Sequence, residues 1–183
     1  MKAKKDKNGK NEKNAKRGNA RLILVCGLPG TGKTTVAEEL AKKTGSHVLS
    51  TDIIRKELIR SPEYSDEEKD MVYGMLFSMA EMMLRDGRNV LIDGTFQKES
   101  LRKTAGGIAS NTKSEFRIVE VVCDEAIIRK RLSGRCKTCS ASDADFAVYL
   151  KIKKAFEPVR ETHDVIDTGK PWMELVEALA KKF

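Results

Sequence analysis

The chain has 183 residues, of which 40% are hydrophobic and 34% are charged, and its net charge is +8. This length is typical of one globular domain that buries enough apolar surface to fold without disulfides or a structural metal. No stretch approaches the roughly 18–20 apolar residues of a membrane span, and the N-terminus lacks the apolar segment of a signal peptide. We therefore expect an intracellular, cytoplasmic protein and exclude the membrane, secreted and collagen-like classes.

The positive charge is concentrated at the N-terminus. Residues 1–20 hold eight lysines and arginines against two acidic residues, so the remainder of the chain is nearly neutral. A segment with this composition has little to bury and is expected to be disordered, which leaves residues 21–183 as the folded domain. The tail is either a solubilising extension, which we favour, or a mobile arm that adds salt-dependent affinity for nucleic acid.

The four cysteines form two groups. Cys26 and Cys123 lie in apolar runs, where cysteine is typically a small buried hydrophobic residue. Cys136 and Cys139 form an isolated C-x-x-C pair, which supplies only half of the ligands of a structural zinc site. We expect this pair to be free thiols, with metal or redox chemistry as the alternative.

Short apolar runs alternate with helical patterns along the chain. Strands are predicted over 22–26, 47–50, 89–93, 116–123 and 165–167. Helices are predicted over 34–43, 53–59, 65–86, 97–110, 124–133, 143–157 and 171–183, with a loop over 134–142. Ser65 and Glu68 have the spacing of a capping box at the start of the longest helix. This alternation predicts an α/β fold, in which a parallel sheet has helices on both faces.

The segment after the first strand fits the pattern G-x-x-x-x-G-K-[ST]. It consists of Gly27, Leu28, Pro29, Gly30, Thr31, Gly32, Lys33 and Thr34, with Thr35 next in the chain. Such a loop surrounds phosphate oxygens with backbone N–H groups, and the following helix adds its positive N-terminal end. We expect Lys33 to reach the β- and γ-phosphates and the Thr34 hydroxyl to be a Mg²⁺ ligand. The pattern predicts binding of a nucleoside triphosphate rather than a purely structural glycine-rich turn.

Two aspartates follow other predicted strands. Ligands of parallel sheets bind at the carboxyl ends of the strands, so Asp52 and Asp93 are expected at the same edge as the loop. Asp52 is interpreted as the general base for a substrate hydroxyl, as the N-cap of the next helix, or as both. Asp93 is expected to bind Mg²⁺ through water or to position the acceptor, with a capping or turn role as the alternative. Thr95, two residues later, is predicted to bind the substrate.

Arginines follow the fourth predicted strand, at Arg129, Arg131 and Arg135. A guanidinium group can clamp a transferring phosphoryl group, although a charged helix face is usually only solvated. We favour Arg131 and Arg135 because they are four residues apart and lead into the loop over 134–142. That loop would then be a lid that closes over ATP and excludes water.

Four methionines recur at helical spacing in the longest predicted helix: Met71, Met75, Met79 and Met82. Such a stripe most often packs in the core, and we expect it to do so here. The alternative is that these adaptable side chains line a cleft for the acceptor.

Four segments together resemble the zeta-toxin-like and polynucleotide-kinase-like branch of small P-loop kinases, which are often described as AAA-type ATP-binding proteins. The segments are GLPGTGKTT at 27–35, STDIIRKEL at 50–58, NVLIDGTF at 89–96 and SASDADFAVYLKIKKAFEPV at 140–159. The resemblance implies a five-stranded sheet in the order 2-3-1-4-5 and ATP-dependent phosphorylation of a hydroxyl group.

The resemblance also implies roles for individual residues. Lys33 and Thr34 would bind ATP and Mg²⁺, and Asp52 would be the general base. Arg55 would bind the acceptor, and two arginines would belong to the lid, at Arg131 and Arg135. The C-x-x-C pair in the lid region departs from the pattern that we expect of this branch.

The predicted function is Mg²⁺- and ATP-dependent transfer of a phosphoryl group to a hydroxyl acceptor. A polynucleotide 5′-hydroxyl and a small metabolite are the best candidates, since acceptors of the branch include nucleic-acid ends, sugars and antibiotics. The alternatives are a non-catalytic nucleotide-binding switch and a nucleic-acid-binding ATPase that uses the basic tail. A regulatory GTPase is disfavoured because the chain lacks N-K-x-D, and an AAA+ mechanical ATPase because the chain is short.

Overall fold

A computed structural model describes residues 20–134 and 144–182. The elements are β1 (Arg21–Cys26), α1 (Lys33–Thr44), β2 (His47–Ser50), α2 (Thr51–Leu58), α3 (Asp66–Arg85), β3 (Val90–Asp93), α4 (Glu99–Asn111), β4 (Glu115–Val122), α5 (Glu125–Ser133), α6 (Phe146–Ala155), β5 (Asp164–Asp167) and α7 (Met173–Ala180). All strand pairs are parallel, and the strand order is β2-β3-β1-β4-β5. The predicted α/β class and the implied strand order are therefore confirmed.

The central strand β1 is buried on both faces, which explains its continuous apolar sequence. Alternate residues point to opposite faces of a strand. Leu22 and Leu24 pack in a core cluster that includes residues of α3 and α4. Ile23 and Val25 pack on the other face with residues of α1 and α7. This packing fixes the carboxyl end of β1, where the glycine-rich loop begins.

Helix boundaries differ from the predicted ones by a few residues. Helix α2 begins at Thr51, two residues earlier than predicted. Helix α6 is shorter than predicted because the Asp145 side chain caps it, accepting a hydrogen bond from the backbone N–H of Val148. Helix α7 follows Trp172 as its N-cap, so Pro171 precedes the helix and does not open it.

The capping box at the start of α3 is confirmed in its first half. The Ser65 hydroxyl accepts a hydrogen bond from the backbone N–H of Glu68. The Glu68 carboxylate accepts hydrogen bonds from the backbone N–H groups of Glu63 and Tyr64. This arrangement fixes the loop between α2 and α3, and it holds Glu68 close to α2.

The prediction that the methionine stripe of α3 packs in the core is wrong for most of its members. Met71, Met75 and Met82 are exposed, whereas Met79 packs partly against the core. The buried face of α3 consists of Val72, Leu76, Ala80 and Leu84. Met71 and Met75 each lie one residue before a buried position, about 100° around the helix from it, and Met82 lies two residues before Leu84.

Ala20 precedes the predicted start of the folded domain by one residue. Ala20 is buried, and its carbonyl accepts a hydrogen bond from the backbone N–H of Glu115.

Cys26 is buried and Cys123 is half-buried, and both are free thiols. The remaining tail, Arg135 and the C-x-x-C pair lie outside the described residues. Within residues 20–134 and 144–182, no helix is long and apolar enough to cross a membrane.

Candidate active site

The glycine-rich loop between β1 and α1, Gly27–Thr34, is called the P-loop below. Gly27, Gly30 and Gly32 have φ angles of 139°, 81° and 92°, values that residues with a side chain rarely adopt. A Cβ on Gly27 would collide with the Val121 carbonyl oxygen, and one on Gly30 would lie 2.9 Å from Ile128. The glycines thus allow the loop to approach β4 and α5 closely.

The N-terminus of α1 has the features of an anion-binding site. Gly32 is its N-cap and offers no side chain, and no acidic residue lies in the first turn. The helix dipole is therefore not neutralised by the helix's own side chains. The Lys33 ammonium group donates a hydrogen bond to the Leu28 carbonyl oxygen at 3.0 Å, which holds it across the loop. The N-terminus of α1 and the Lys33 ammonium group thus both lie at this loop.

Thr34 and Asp93 bring together oxygen ligands beside this loop. The Thr34 hydroxyl donates a hydrogen bond to Oδ2 of Asp93 at 3.0 Å. Asp93 is 3% exposed, and its Oδ1 atom has no hydrogen-bond partner within residues 20–134 and 144–182. Hydroxyl and carboxylate oxygens are the ligands that Mg²⁺ prefers, so these residues fit a magnesium ion.

The electrostatics of Asp93 also fit a bound cation. Burial raises the pKa of Asp93 above its usual range, and the Asp52 charge adds to the rise. The Lys33 ammonium and the Thr34 hydrogen bond lower the pKa but do not cancel the effect of burial. A divalent cation would stabilise the charged carboxylate in this place.

Asp52 lies in the first turn of α2 and is half-buried. The strand register pairs Ser50 with Asp93, so the end of β2 adjoins the end of β3 and brings Asp52 to the same sheet edge. The interpretation of Asp52 as an N-cap is wrong, because Ser50 occupies that position. The Asp52 charge also raises the pKa of Tyr73, which burial brings to about 12, so this phenol stays protonated at neutral pH.

Arg55 lies one turn after Asp52 on α2 and is buried, with 7% of its surface exposed. Its Nη1 atom is 3.5 Å from a carboxylate oxygen of Glu68, and its guanidinium carbon is 4.9 Å from the centre of the Tyr64 ring. Among the described residues, Nε and Nη1 of Arg55 have no hydrogen-bond acceptor. The guanidinium group is therefore held against the start of α3, with its buried donors incompletely hydrogen-bonded.

Thr95 connects the loop after β3 with the P-loop. Its carbonyl oxygen accepts a hydrogen bond from the backbone N–H of Gly27 at 3.4 Å. The next residue, Phe96, is buried and has a φ angle of 46°, which is unusual for a residue with a side chain. The Tyr73 hydroxyl accepts a hydrogen bond from its N–H, and Arg102 donates one to its carbonyl oxygen. These contacts hold the loop that follows Asp93 in one conformation.

Arg131 lies at the outer side of the P-loop, although much of its surface is exposed. It donates hydrogen bonds to the hydroxyl and carbonyl oxygens of Thr168 at 2.8 and 2.9 Å, and to the Thr31 carbonyl oxygen at 3.4 Å. Arg129 instead lies 4.2 Å from the centre of the Phe146 ring. Arg135, the other arginine predicted for the lid, is outside the described residues.

Sequence reasoning missed Thr168 and Arg102. Thr168 directly follows β5, so it occupies the same kind of position as the acids after β2 and β3. A search for polar residues after every predicted strand would have included Thr168. Arg102 is 1% exposed and reads in the sequence as an ordinary charged residue of a helix. No local signal shows that its partners lie in distant segments of the chain.

The glycine-rich loop, the strand order and the acidic sheet edge define this protein as a P-loop nucleotide-binding protein with the fold of small kinases. It belongs to the AAA domain family, whose pattern it matches over residues 22–159.

Similar proteins support this assignment. The chain is 32% identical over 165 residues to an uncharacterized protein of Mycobacterium tuberculosis, in a match that covers 82% of this chain and 32% of the relative. It thus spans about a third of the length of that relative. It is 27% identical to the adenylate kinase of Nautilia profundicola, over 79% of this chain and 81% of the relative.

The fold is shared with a solved structure of the Mycobacterium tuberculosis APS kinase in complex with AMPPNP and APS. The TM-score is 0.69 at 16% identity, and the alignment covers 89% of this chain and 96% of that one. At this identity the likeness shows the fold alone.

Proposed function

We propose that the protein is a Mg²⁺-dependent kinase that transfers the γ-phosphoryl group of ATP to a hydroxyl group, in the zeta-toxin-like and polynucleotide-kinase-like branch. The observation that carries this proposal is the bonded pair of Thr34 and Asp93 beside the P-loop, with Asp52 at the adjoining strand end. The residues that would bind phosphate and metal and accept the proton thus lie near one edge of the sheet. The adenylate kinase relative and the APS kinase fold are consistent with it.

The P-loop would bind the triphosphate of ATP. Phosphate oxygens are stronger acceptors than a neutral carbonyl, so the Lys33 ammonium group is expected to exchange the Leu28 carbonyl for them. Thr34 and Asp93 would hold Mg²⁺, which when bound neutralises negative charge on the phosphates. Gly27, Gly30 and Gly32 would supply backbone N–H groups, and Thr35 would lie after them in the first turn of α1.

Asp52 would act as the general base. It accepts the proton of the acceptor hydroxyl while the hydroxyl oxygen forms a bond to the γ-phosphorus atom and the bond to the leaving ADP oxygen breaks. Arg131, together with Arg135, would disperse the charge that spreads over the phosphoryl oxygens. Arg55 would bind the acceptor, and Thr95 would border the acceptor beside Asp93.

The protein would accept either a polynucleotide 5′-hydroxyl or a small metabolite. The test incubates the full chain with γ-labelled ATP, Mg²⁺, a 5′-hydroxyl oligonucleotide and a pool of small hydroxyl compounds. A protein without residues 1–19, which keeps the buried Ala20, shows whether the basic tail contributes to the oligonucleotide reaction. Label on the oligonucleotide identifies a polynucleotide kinase, and label only in the pool identifies a small-molecule kinase.

Two variants make the assay specific for this site. Lys33→Ala should abolish labelling because the phosphates lose their cation. Lys42→Ala, on an exposed position of the same helix, should leave labelling unchanged. Release of label only as inorganic phosphate would favour the nucleic-acid-binding ATPase over the kinase. Nucleotide binding without any turnover would favour the nucleotide-binding switch.

A further inference from the structure

Thr168, the first residue after β5, joins separate segments of the chain through one hydroxyl group. It is 7% exposed, and its backbone N–H donates a hydrogen bond to the Val122 carbonyl oxygen at 3.0 Å. Its hydroxyl donates to the Thr31 carbonyl oxygen at 2.5 Å and accepts a hydrogen bond from Nη1 of Arg131 at 2.8 Å. Its own carbonyl oxygen accepts from Nη2 of Arg131 at 2.9 Å. The P-loop, β5 and α5 therefore meet at this residue.

The direction of these hydrogen bonds is fixed by chemistry. A hydroxyl group has a single proton, and a guanidinium group has donors only. Because Arg131 must donate, the Thr168 oxygen accepts from it and directs its own proton to Thr31. The hydroxyl and the carbonyl oxygen of Thr168 together select one orientation of this long, largely exposed side chain, and loss of the hydroxyl leaves it with a single bond to Thr168.

The orientation places the Arg131 guanidinium against the segment that leads into the phosphate-binding lysine. Its Nη1 atom lies 3.4 Å from the Thr31 carbonyl oxygen and 3.6 Å from the position that a Cβ on Gly32 would take. Lys33 is the next residue in the chain after Gly32.

We propose that Thr168 is a positioning residue that holds Arg131 beside the P-loop in the free protein, so that the guanidinium group contacts the terminal phosphate when a triphosphate binds. This inference rests on the proposed function for the identity of the nucleotide and for the contact of Arg131 with phosphate. It adds that recognition of a triphosphate over a diphosphate depends on a residue after β5.

The test compares the affinities of the full-length protein for ADP and for a non-hydrolysable ATP analogue, both with Mg²⁺, by calorimetric titration. Thr168→Val keeps the size of the side chain and removes the hydroxyl, so the affinity for the analogue should fall by about 10-fold, as expected for one charge-assisted hydrogen bond. The affinity for ADP should change less than about 2-fold. Thr168→Ser restores the hydroxyl and should restore the preference for the triphosphate.

A double-mutant cycle identifies Arg131 as the group through which Thr168 acts. Arg131→Ala should lose the same preference, and adding Thr168→Val to Arg131→Ala should cause no further loss. An equal loss of affinity for ADP and the analogue, or the same loss in both backgrounds, would show that Thr168 only stabilises the loop at Thr31 and would overturn the proposal.

Two features keep the outcome interpretable. Arg131→Lys leaves the Thr168–Thr31 hydrogen bond intact but cannot donate to both Thr168 oxygens in the same way, so it should lose the same preference even if Thr168→Val fails to fold. The titrations need no acceptor. A failure to phosphorylate any hydroxyl would therefore disprove the kinase, whereas an unchanged preference in Thr168→Val and Arg131→Lys would disprove the positioning role.

Discussion

The Thr34 hydroxyl is hydrogen-bonded to Oδ2 of Asp93 at 3.0 Å, which connects the first turn of α1 to the end of β3. The other carboxylate oxygen of Asp93 is buried and lacks a hydrogen-bond partner in the described part of the chain. An unpartnered buried carboxylate oxygen destabilises the folded state. The Mg²⁺ ion of the proposed function would give this oxygen a partner beside the P-loop.

Asp93→Asn should therefore stabilise the free protein and impair its response to magnesium. The amide keeps an acceptor for Thr34 and removes the buried charge. Relief of about 1 kcal/mol would raise the melting temperature by about 2–4 °C in a domain of this size. The affinity for ATP should become nearly the same with Mg²⁺ and with EDTA. Asp52→Asn is the matched control, since it should keep the magnesium dependence; a lower melting temperature for Asp93→Asn would contradict the argument.

Asp52→Asn should reduce the rate of phosphoryl transfer by roughly 10²–10⁴-fold, the range for a lost general base. Its affinity for ATP should remain close to that of the wild type, because the residues proposed to bind ATP are those of the P-loop and do not include Asp52. Single-turnover transfer and nucleotide titration measure the two effects separately. Asp70→Asn changes an exposed acid on α3 and should leave both quantities unchanged. Transfer by Asp52→Asn at the wild-type rate would remove Asp52 from the mechanism.

The sequence predicted those parts of the site that lie at strand ends or in a fixed-spacing pattern. The P-loop is such a pattern, and Asp52 and Asp93 follow apolar strands whose parallel pairing brings their ends together. Side chains whose partners are far apart in the chain were not predictable in this way. Arg102 is an example, since its contact with the Pro158 carbonyl oxygen exists only in the folded chain.

The methionine stripe shows a second limit of prediction from the sequence. The apolar positions of α3 form a wide band, and helical spacing alone fits both the methionines and the aliphatic residues that are buried. Which side of the band faces the sheet depends on how the helix packs. The aliphatic side is buried, so Met71, Met75 and Met82 remain exposed.

Arg102→Met should destabilise the protein by about 3–5 kcal/mol, the range for removing one partner of a buried charged group. Arg102 donates hydrogen bonds to the carbonyl oxygens of Phe96 and Pro158 and lies 3.4 Å from the Glu161 carboxylate. Methionine fills similar space but leaves these acceptors without a donor. Urea unfolding gives the free energy directly.

Lys103→Met is the control for Arg102→Met, because this neighbouring lysine is exposed and pairs only at the surface with Glu99. Its cost should stay below about 1 kcal/mol, as for other exposed ion pairs. Similar costs for the two variants would show that the contacts of Arg102 contribute little to stability.

Gly27→Ala should damage both the fold and nucleotide binding. The φ angle of 139° is strained for alanine, which costs about 1–3 kcal/mol, and the added methyl group would collide with the Val121 carbonyl oxygen of β4. Relief of that collision must shift either β4 or the P-loop, so the affinity for ATP should fall together with the free energy of unfolding.

Gly45→Ala separates backbone strain from the collision at Gly27. Gly45 also has a positive φ angle, 64°, but no described atom lies within 4 Å of the position of an added Cβ. Its substitution by alanine should lower the free energy of unfolding by about 1–2 kcal/mol, the strain of a left-handed residue, and should leave the affinity for ATP unchanged. Because Gly45 ends α1 and Gly27 precedes it, a loss of affinity confined to Gly27→Ala would locate the requirement for glycine at the contact between the P-loop and β4. Equal losses in both variants would show instead that the conformation of α1 as a whole governs nucleotide binding.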